Sequence, residues 1–126
     1  MIEYKVKVKN NGTKYWYLNG KRHREDGPAI EFSNGGKYWY LNGKLHREDG
    51  PAIEYTNGGS KCWFLNGKRH REDGPAVEYA NGSKEWYING ERLTEEEFNS
   101  RTNVELTLEE ISKKFNIPLD KLRIKK

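Results

Sequence analysis

The chain has 126 residues, of which 33% are hydrophobic and 33% charged, and a formal net charge of +4. This length suits one domain with a small appendage, and so few apolar residues favour a thin core under a charged surface. The composition excludes a membrane-spanning stretch and an internal disulfide, because apolar runs are short and Cys62 is the lone cysteine. We therefore expect a cytoplasmic protein with no signal peptide and no membrane association.

The first predicted element is a strand from Tyr4 to Lys9, in which apolar residues alternate with lysines. Alternation with a period of two is typical of a strand that has one covered face. Lysines on the other face would protect an open sheet edge from pairing with another chain. The segment is thus expected to be an N-terminal cap strand.

A repeat of 23 or 24 residues follows the cap strand. It is led by Trp16, Trp39, Trp63 and Trp86, which are 23, 24 and 23 residues apart. Each copy contains an Asn-Gly pair, typical of a type I′ hairpin turn, and the first three copies also carry an Asp-Gly-Pro break and a second glycine turn. A fixed period of this length marks stacked supersecondary units. The sequence therefore predicts a mainly β fold: an elongated antiparallel meander of β-hairpin repeats over residues 1–93.

The alternation within each strand also assigns side chains to faces. The side with the tryptophans is predicted to be the core, together with Ile30, Ile53 and Val77 of the partner strands. The opposite side carries a row of rings, Tyr17, Tyr40, Phe64 and Tyr87. This row is the candidate binding face, and it is either an exposed contact strip or a second buried layer. Cys62 stands where other copies have Tyr or Glu, so it is expected to be incidental.

Residues 94–126 are predicted to form a separate helical segment. A capping box at Thr94 opens a short helix, a linker follows over residues 99–103, and residues 104–106 resemble a strand. A second capping box at Thr107 opens another helix with apolar residues at helical spacing. This tail resembles both a LysM module and a helix-turn-helix, and a plain packing appendage is the third alternative.

The segment His-Arg-Glu-Asp occurs in three copies, with His23, His46 and His70 and with Asp26, Asp49 and Asp73. Successive histidines of stacked hairpins would stand about 10 Å apart, whereas zinc gathers its ligands within about 2 Å. These residues are therefore predicted to be a structural turn network, in which Asp caps the turn and His and Arg form hydrogen bonds or stack on aromatic rings. Without a nucleophile triad or a phosphate-binding loop, the chain is predicted to be no enzyme and to hold no metal or cofactor.

The pattern Trp-x-x-Asn-Gly-Lys-x-His-Arg-x-Asp-Gly-Pro-Ala resembles a divergent MORN-like repeat found in proteins of bacteriophages and large viruses. The resemblance covers residues 14 to about 98, and both 39–52 and 63–76 fit it throughout. It implies a scaffold or interaction surface built from β-hairpins. In a phage setting it implies an accessory protein in the host cytoplasm that docks on a host or viral protein and modulates it, with anti-defence inhibition as one form.

The sequence thus favours a non-enzymatic protein-binding module, a monomer rather than an oligomer, with a protein partner. The alternative is a binder of single-stranded nucleic acid or nucleotides, which would use the aromatic row for stacking and nearby basic residues for phosphates. A third alternative is LysM-like glycan binding by the tail. A salt titration separates the first two, because phosphate contacts weaken steeply with salt.

Overall fold

The computed structural model describes residues 3–56 and 58–102 and positions 116 and 120. The chain divides into two compact units, residues 1–95 and 96–126, which are described separately. The sequence places this boundary between residues 93 and 94. The strand and second helix predicted within residues 104–115 lie outside the described residues, so the LysM-like and helix-turn-helix readings stay predictions.

Short strands dominate the first unit, hereafter the repeat domain. They are β1 (Lys5–Val8), β2 (Lys14–Leu18), β3 (Lys21–Arg22), β4 (Ile30–Glu31), β5 (Lys37–Tyr38), β6 (Tyr40–Leu41), β7 (Lys44–Leu45), β8 (Ile53–Glu54), β9 (Lys61–Cys62), β10 (Phe64–Leu65), β11 (Lys68–Arg69), β12 (Val77–Glu78), β13 (Lys84–Ile88) and β14 (Glu91–Leu93). We number the repeats 1 to 4, as residues 14–36, 37–60, 61–83 and 84–93. Apart from the cap strand β1, each strand thus falls within one repeat.

Ten of the described strands form one antiparallel sheet in the order β1-β2-β4-β5-β8-β9-β12-β13-β14, with β3 also paired to β2. In addition, β6 pairs with β7 and β10 pairs with β11 as separate hairpins. These hairpins are separate because the strand is interrupted at Trp39 in repeat 2 and at Trp63 in repeat 3. The predicted mainly β, antiparallel hairpin architecture is confirmed.

The predicted type I′ turns are also confirmed, since both residues have positive φ in the four Asn-Gly pairs that follow the tryptophan-led strands. The φ pairs are 52° and 76° at Asn19-Gly20, 50° and 80° at Asn42-Gly43, 49° and 81° at Asn66-Gly67, and 49° and 84° at Asn89-Gly90. A further turn at Asn11-Gly12 precedes repeat 1, and there Asn11 Oδ1 accepts the amide of Thr13 as Asn34 Oδ1 accepts that of Gly36. The turn that joins β1 to β2 is therefore of the same kind as the second glycine turn of the repeats, not of the type I′ kind.

The strand register differs by one residue from the face assignment made above. Ile30 lies opposite Tyr15 and Tyr38, not beside a tryptophan. A single row crosses the sheet on this face: Tyr15, Ile30, Tyr38, Ile53, Cys62, Val77 and Glu85. The opposite face carries an alternating charged row: Lys14, Glu31, Lys37, Glu54, Lys61, Glu78 and Lys84. Because a shift of one residue exchanges the faces, the tryptophans lie on the charged side.

The buried core accordingly consists of small aliphatic side chains. Ile53, Cys62 and Val77 form its central cluster, and Phe64 and Tyr87 are among the partly buried residues packed against them. The four tryptophans, predicted as the core, are each only half-buried. Cys62, expected to be incidental, is a buried member of this cluster, and its burial raises the pKa of the thiol. A buried thiol with a raised pKa is less reactive, which fits a packing role.

Helix α1 spans Glu95–Thr102, so all of it except its first residue belongs to the second unit. Its start after Thr94 agrees with the predicted capping box. Residues 99–102, predicted as a linker, are instead its last turn. No Gly or Pro occurs in this stretch to end the helix after the first turn, and Phe98 within it is buried.

Candidate functional site

The most regular feature of the repeat domain is an arginine that lies flat on a tryptophan. The guanidinium carbon of Arg47 is 3.9 Å from the ring centroid of Trp39. Its Nε donates to Asp49 Oδ1 at 3.0 Å, and its Nη1 donates to the Pro51 carbonyl at 3.1 Å and to Glu54 Oε1 at 3.2 Å. The planar guanidinium satisfies all of these contacts at once, which a lysine ammonium could not do.

The same network occurs in the neighbouring repeats. Arg24 lies 4.1 Å from Trp16, and Arg71 lies 3.9 Å from Trp63. Both arginines repeat the bonds to the Asp two residues on, the Pro carbonyl four residues on and the Glu seven residues on. Thr94 replaces the arginine in repeat 4. The arginines, which the sequence analysis did not single out as site residues, are the centre of each turn network.

The glycine of each Asp-Gly-Pro break lies directly against this arginine. A Cβ at Gly50 would lie 2.9 Å from the guanidinium carbon of Arg47, and the same distance is 2.9 Å at Gly74 and 3.0 Å at Gly27. These glycines lie outside the left-handed region, unlike those of the Asn-Gly turns. A larger residue here would have to push the guanidinium aside, whereas the backbone conformation itself does not call for glycine.

We expect Gly50→Ala to destabilise the protein by about 1 kcal/mol, because the new methyl group displaces the guanidinium from Trp39. In an Arg47→Ala background the same change should be neutral or stabilising by up to about 0.5 kcal/mol, since alanine restricts the unfolded chain more than glycine does. Denaturant unfolding of the four proteins of this double-mutant cycle measures the coupling. Equal effects in both backgrounds would contradict the proposed close approach.

The histidines connect each repeat to the next. Nδ1 of His23 accepts the amide of Asn42 at 2.9 Å, and the equivalent pairs His46–Asn66 and His70–Asn89 have the same length. An Nδ1 that accepts a hydrogen bond leaves the ring proton on Nε2. Nε2 in turn lies 3.4 to 3.5 Å from the glutamate two residues later. The described residues contain no group of three or more His, Cys, Asp or Glu side chains that could hold a metal ion.

The loops after the histidines present exposed carboxylates. Glu25, Asp26, Glu48, Asp49, Glu72 and Asp73 have side chains between 64% and 86% exposed. We call these three pairs the acidic loops. The arginine network fixes each acidic loop in place, because the Asp of each pair accepts a hydrogen bond from the arginine Nε.

Two equivalent clefts lie between successive acidic loops. The first, of about 650 Å³, is bounded by residues 24–28 of repeat 1 and by Trp39, Leu41 and residues 46–49 of repeat 2. The second, of about 710 Å³, is bounded by the corresponding residues 47–51, Trp63, Leu65 and 70–73. The lining of each cleft thus combines a tryptophan and a leucine with four acidic side chains, two arginines and a histidine, at equivalent positions of successive repeats.

The arginine hydrogen bonds lower the pKa of Asp49 and of Asp73. A carboxyl whose pKa is lower in the folded state stabilises that state above its unfolded pKa, and this contribution is lost as the pH falls through the folded value. We therefore expect Asp49→Asn combined with Asp73→Asn to flatten the fall of melting temperature below about pH 4. The control, Glu48→Gln with Glu72→Gln, removes two carboxyl groups but no arginine bond and should keep the steep fall. An unchanged acid limb in the Asp double variant would contradict this role.

The candidate binding face of rings lies on the other side of the sheet. Tyr17, Tyr40, Phe64 and Tyr87 are all half-buried. Arg22 lies 5.8 Å from the Tyr15 ring and 5.7 Å from the Tyr40 ring, and Arg69 lies 5.9 Å from Phe64 and 5.3 Å from Tyr87. Since Phe64 and Tyr87 also pack on the core cluster, this row contributes both to the core and to an aromatic and basic surface.

Glu85 ends the core row at the edge of this surface. Burial favours its protonated form, but the hydroxyl groups of Tyr79 and Tyr87 donate to its two carboxylate oxygens at 2.9 and 3.0 Å. The net effect lowers the pKa of Glu85, while the same hydrogen bond raises that of Tyr79. These bonds explain how a glutamate replaces the Tyr or Cys of other repeats.

No protein-family model, no curated protein and no solved structure matches this chain. No helix in the described part of the chain is long and apolar enough to cross a membrane.

Proposed function

We propose that this chain is a non-enzymatic protein-binding module that recognises an extended, basic segment of a partner along its acidic loops and clefts. The observation that supports the proposal is the equivalence of the two clefts, which have the same lining in successive repeats. Repeated equivalent sites suit a partner that runs along the repeat axis, as repeat proteins commonly bind. The exposed carboxylates at the rims favour lysine and arginine side chains.

The resemblance to repeats of phage and large-virus proteins supports a host or viral protein as the partner, with an activity that changes on docking. Inhibition of a defence protein is one such outcome. Catalysis fits less well, since an active site needs one desolvated, asymmetric cavity.

The test is quantitative capture of partners by the tagged protein from a lysate of the cell in which it acts, with and without nuclease. A triple variant, Glu25→Gln with Glu48→Gln and Glu72→Gln, leaves the arginine bonds intact and should weaken capture about tenfold, at about 0.5 kcal/mol for each pair. The matched control replaces the exposed Lys21, Lys44 and Lys68 with Gln and should retain capture. Equal capture by the acidic-loop variant, or capture that nuclease abolishes, would overturn the proposal.

A second candidate function is the binding of single-stranded nucleic acid or nucleotides by the opposite face. The observation in its favour is the interleaving of Arg22 and Arg69 with rings that could stack on bases. Binding of a labelled oligonucleotide that weakens steeply with salt, and that Arg22→Gln with Arg69→Gln removes, would support this function over the first.

A further inference from the structure

The two clefts between the acidic loops are separated by the pitch of the repeat. Equivalent strands of successive repeats have one further strand between them, as β4 lies between β2 and β5. Neighbouring strands lie about 4.8 Å apart, so one repeat advances about 10 Å along the sheet. The hydrogen bonds from Asn42 N to His23 Nδ1 and from Asn66 N to His46 Nδ1, both 2.9 Å, hold the neighbouring hairpins in the same stack. The clefts are therefore about 10 Å apart.

Each cleft also carries a net negative charge. Four carboxylates and two arginines line it, which leaves a formal charge of −2 with a neutral histidine. The arginines already lie on tryptophans and donate to acceptors of their own repeat, as Arg47 does to Asp49 and Glu54. Glu48, in contrast, is 84% exposed and borders both clefts. The clefts are thus suited to a cationic side chain supplied by a partner.

The spacing of the clefts selects the backbone conformation of an extended ligand. In a β-strand, side chains on one face advance by about 6.7 Å or about 13 Å, and neither distance equals the repeat pitch. A polyproline II helix has three residues per turn and rises about 3.1 Å per residue. Every third side chain therefore points the same way and lies about 9.3 Å further on, which agrees with the pitch to within about 1 Å.

We infer that the two clefts bind a polyproline II segment of the partner through two arginines that are three residues apart, Arg-x-x-Arg. One guanidinium enters each cleft, where carboxylates of both bordering loops accept its hydrogen bonds. The apolar stem of each arginine packs on the tryptophan and leucine that line the cleft. Prolines at the intervening positions hold this conformation before binding and so reduce the entropy lost on docking. The inference rests on the proposed protein-binding function and names what the partner presents.

The experiment compares three synthetic peptides of identical composition by calorimetric titration into the full chain. PPRPPRPP has its arginines at the spacing of the clefts, whereas PPRPRPPP and PPRPPPRP have them closer together and further apart. Since the charge is the same in all three, any difference in affinity reports the spacing. PPRPPRPP should bind at least about fivefold more tightly than either isomer.

Protein variants show whether the acidic loops carry this preference. Glu25→Gln with Glu48→Gln and Glu72→Gln leaves the arginine network intact and should weaken binding of PPRPPRPP at least about tenfold. The same variant should bind the three peptides with affinities within about twofold of one another. The matched control, Lys21→Gln with Lys44→Gln and Lys68→Gln, should keep the preference for PPRPPRPP.

Three outcomes would overturn the inference. They are equal binding of the three peptides, a preference that persists in the acidic-loop variant, and tighter binding of an alanine-based helical peptide with arginines seven residues apart, which also advance about 10 Å. The proposed function fails separately, through capture from lysate that does not depend on the acidic loops. Equal binding of the three peptides together with capture that does depend on these loops would overturn only the Arg-x-x-Arg spacing.

Discussion

Ile53→Ala is expected to lower the free energy of unfolding by about 3 kcal/mol, which corresponds to a fall of roughly 12–24 °C in melting temperature for a domain of this size. Ile53 is 7% exposed and lies at the middle of the core row, between Tyr38 and Cys62. Truncating it leaves a cavity that the short strands on either side fill poorly. Denaturant unfolding followed by tryptophan fluorescence measures the change.

Val8→Ala is the matched control for this prediction. Val8 is also an aliphatic residue in a strand of the same sheet, but it is 63% exposed. Its truncation should change the unfolding free energy by no more than about 0.5 kcal/mol. A loss below about 1 kcal/mol for Ile53→Ala would mean that the buried aliphatic row is not the main source of stability.

Arg47→Ala is expected to destabilise the protein by about 2 kcal/mol. The change uncovers one face of the Trp39 ring and removes the donor that Glu54 shares with the Pro51 carbonyl. The hydrogen bond to Asp49 should be a smaller part of this total than the contacts with Trp39, Pro51 and Glu54, because the Asp49 carboxylate is 86% exposed and water screens its charge. Thermal and denaturant unfolding measure the loss of stability. A change in the wavelength of tryptophan emission reports that the Trp39 ring has been uncovered.

Two companion variants test the reason for that loss. Arg47→Lys keeps the charge but not the planar fork, so it should recover less than half of the lost stability. Lys44→Ala removes an exposed cation that directly follows the Asn42-Gly43 turn and takes no part in the Arg47 network, so it should change stability little. Wild-type stability in Arg47→Lys would show that charge alone, rather than stacking with several hydrogen bonds, accounts for the role of Arg47.

The turns and the antiparallel architecture were predictable because they depend on local chemistry. Asn-Gly is the pair that best tolerates the positive φ of a type I′ turn, which both residues adopt at 19–20, 42–43, 66–67 and 89–90, and the 23- to 24-residue period placed these turns in register. Asn11-Gly12 lies 23 residues before Asn34-Gly35 and corresponds to the second glycine turn of the repeats. The residues around Asn11-Gly12 do not follow the repeat pattern, so this correspondence was not evident from the sequence. The start of α1 was likewise predictable from its capping box.

The faces were not predictable in the same way. Tyr38, Trp39 and Tyr40 are all aromatic, so alternation does not decide which face is buried. The decision is made by Arg47, which covers Trp39 from another part of the repeat and lets the ring lie beside charged residues. His46 Nδ1 accepts a hydrogen bond from the backbone amide of Asn66 in the next repeat. Because every residue type except proline has such an amide, the pattern of side chains in the sequence does not indicate this partner.

The histidine hydrogen bonds between repeats join residues that are 19 or 20 positions apart in the chain. Each described pair of hydrogen-bonded strands likewise consists of strands that are close together in the sequence. A β protein with such local contacts has little loop-closure entropy to overcome, so it should refold faster than sandwiches and barrels of similar size. Any repeat can nucleate, and the structure then grows in both directions like a one-dimensional zipper. During synthesis, each of repeats 2 to 4 leaves the ribosome after the repeat on which it packs, so it can add to a structure that has already formed.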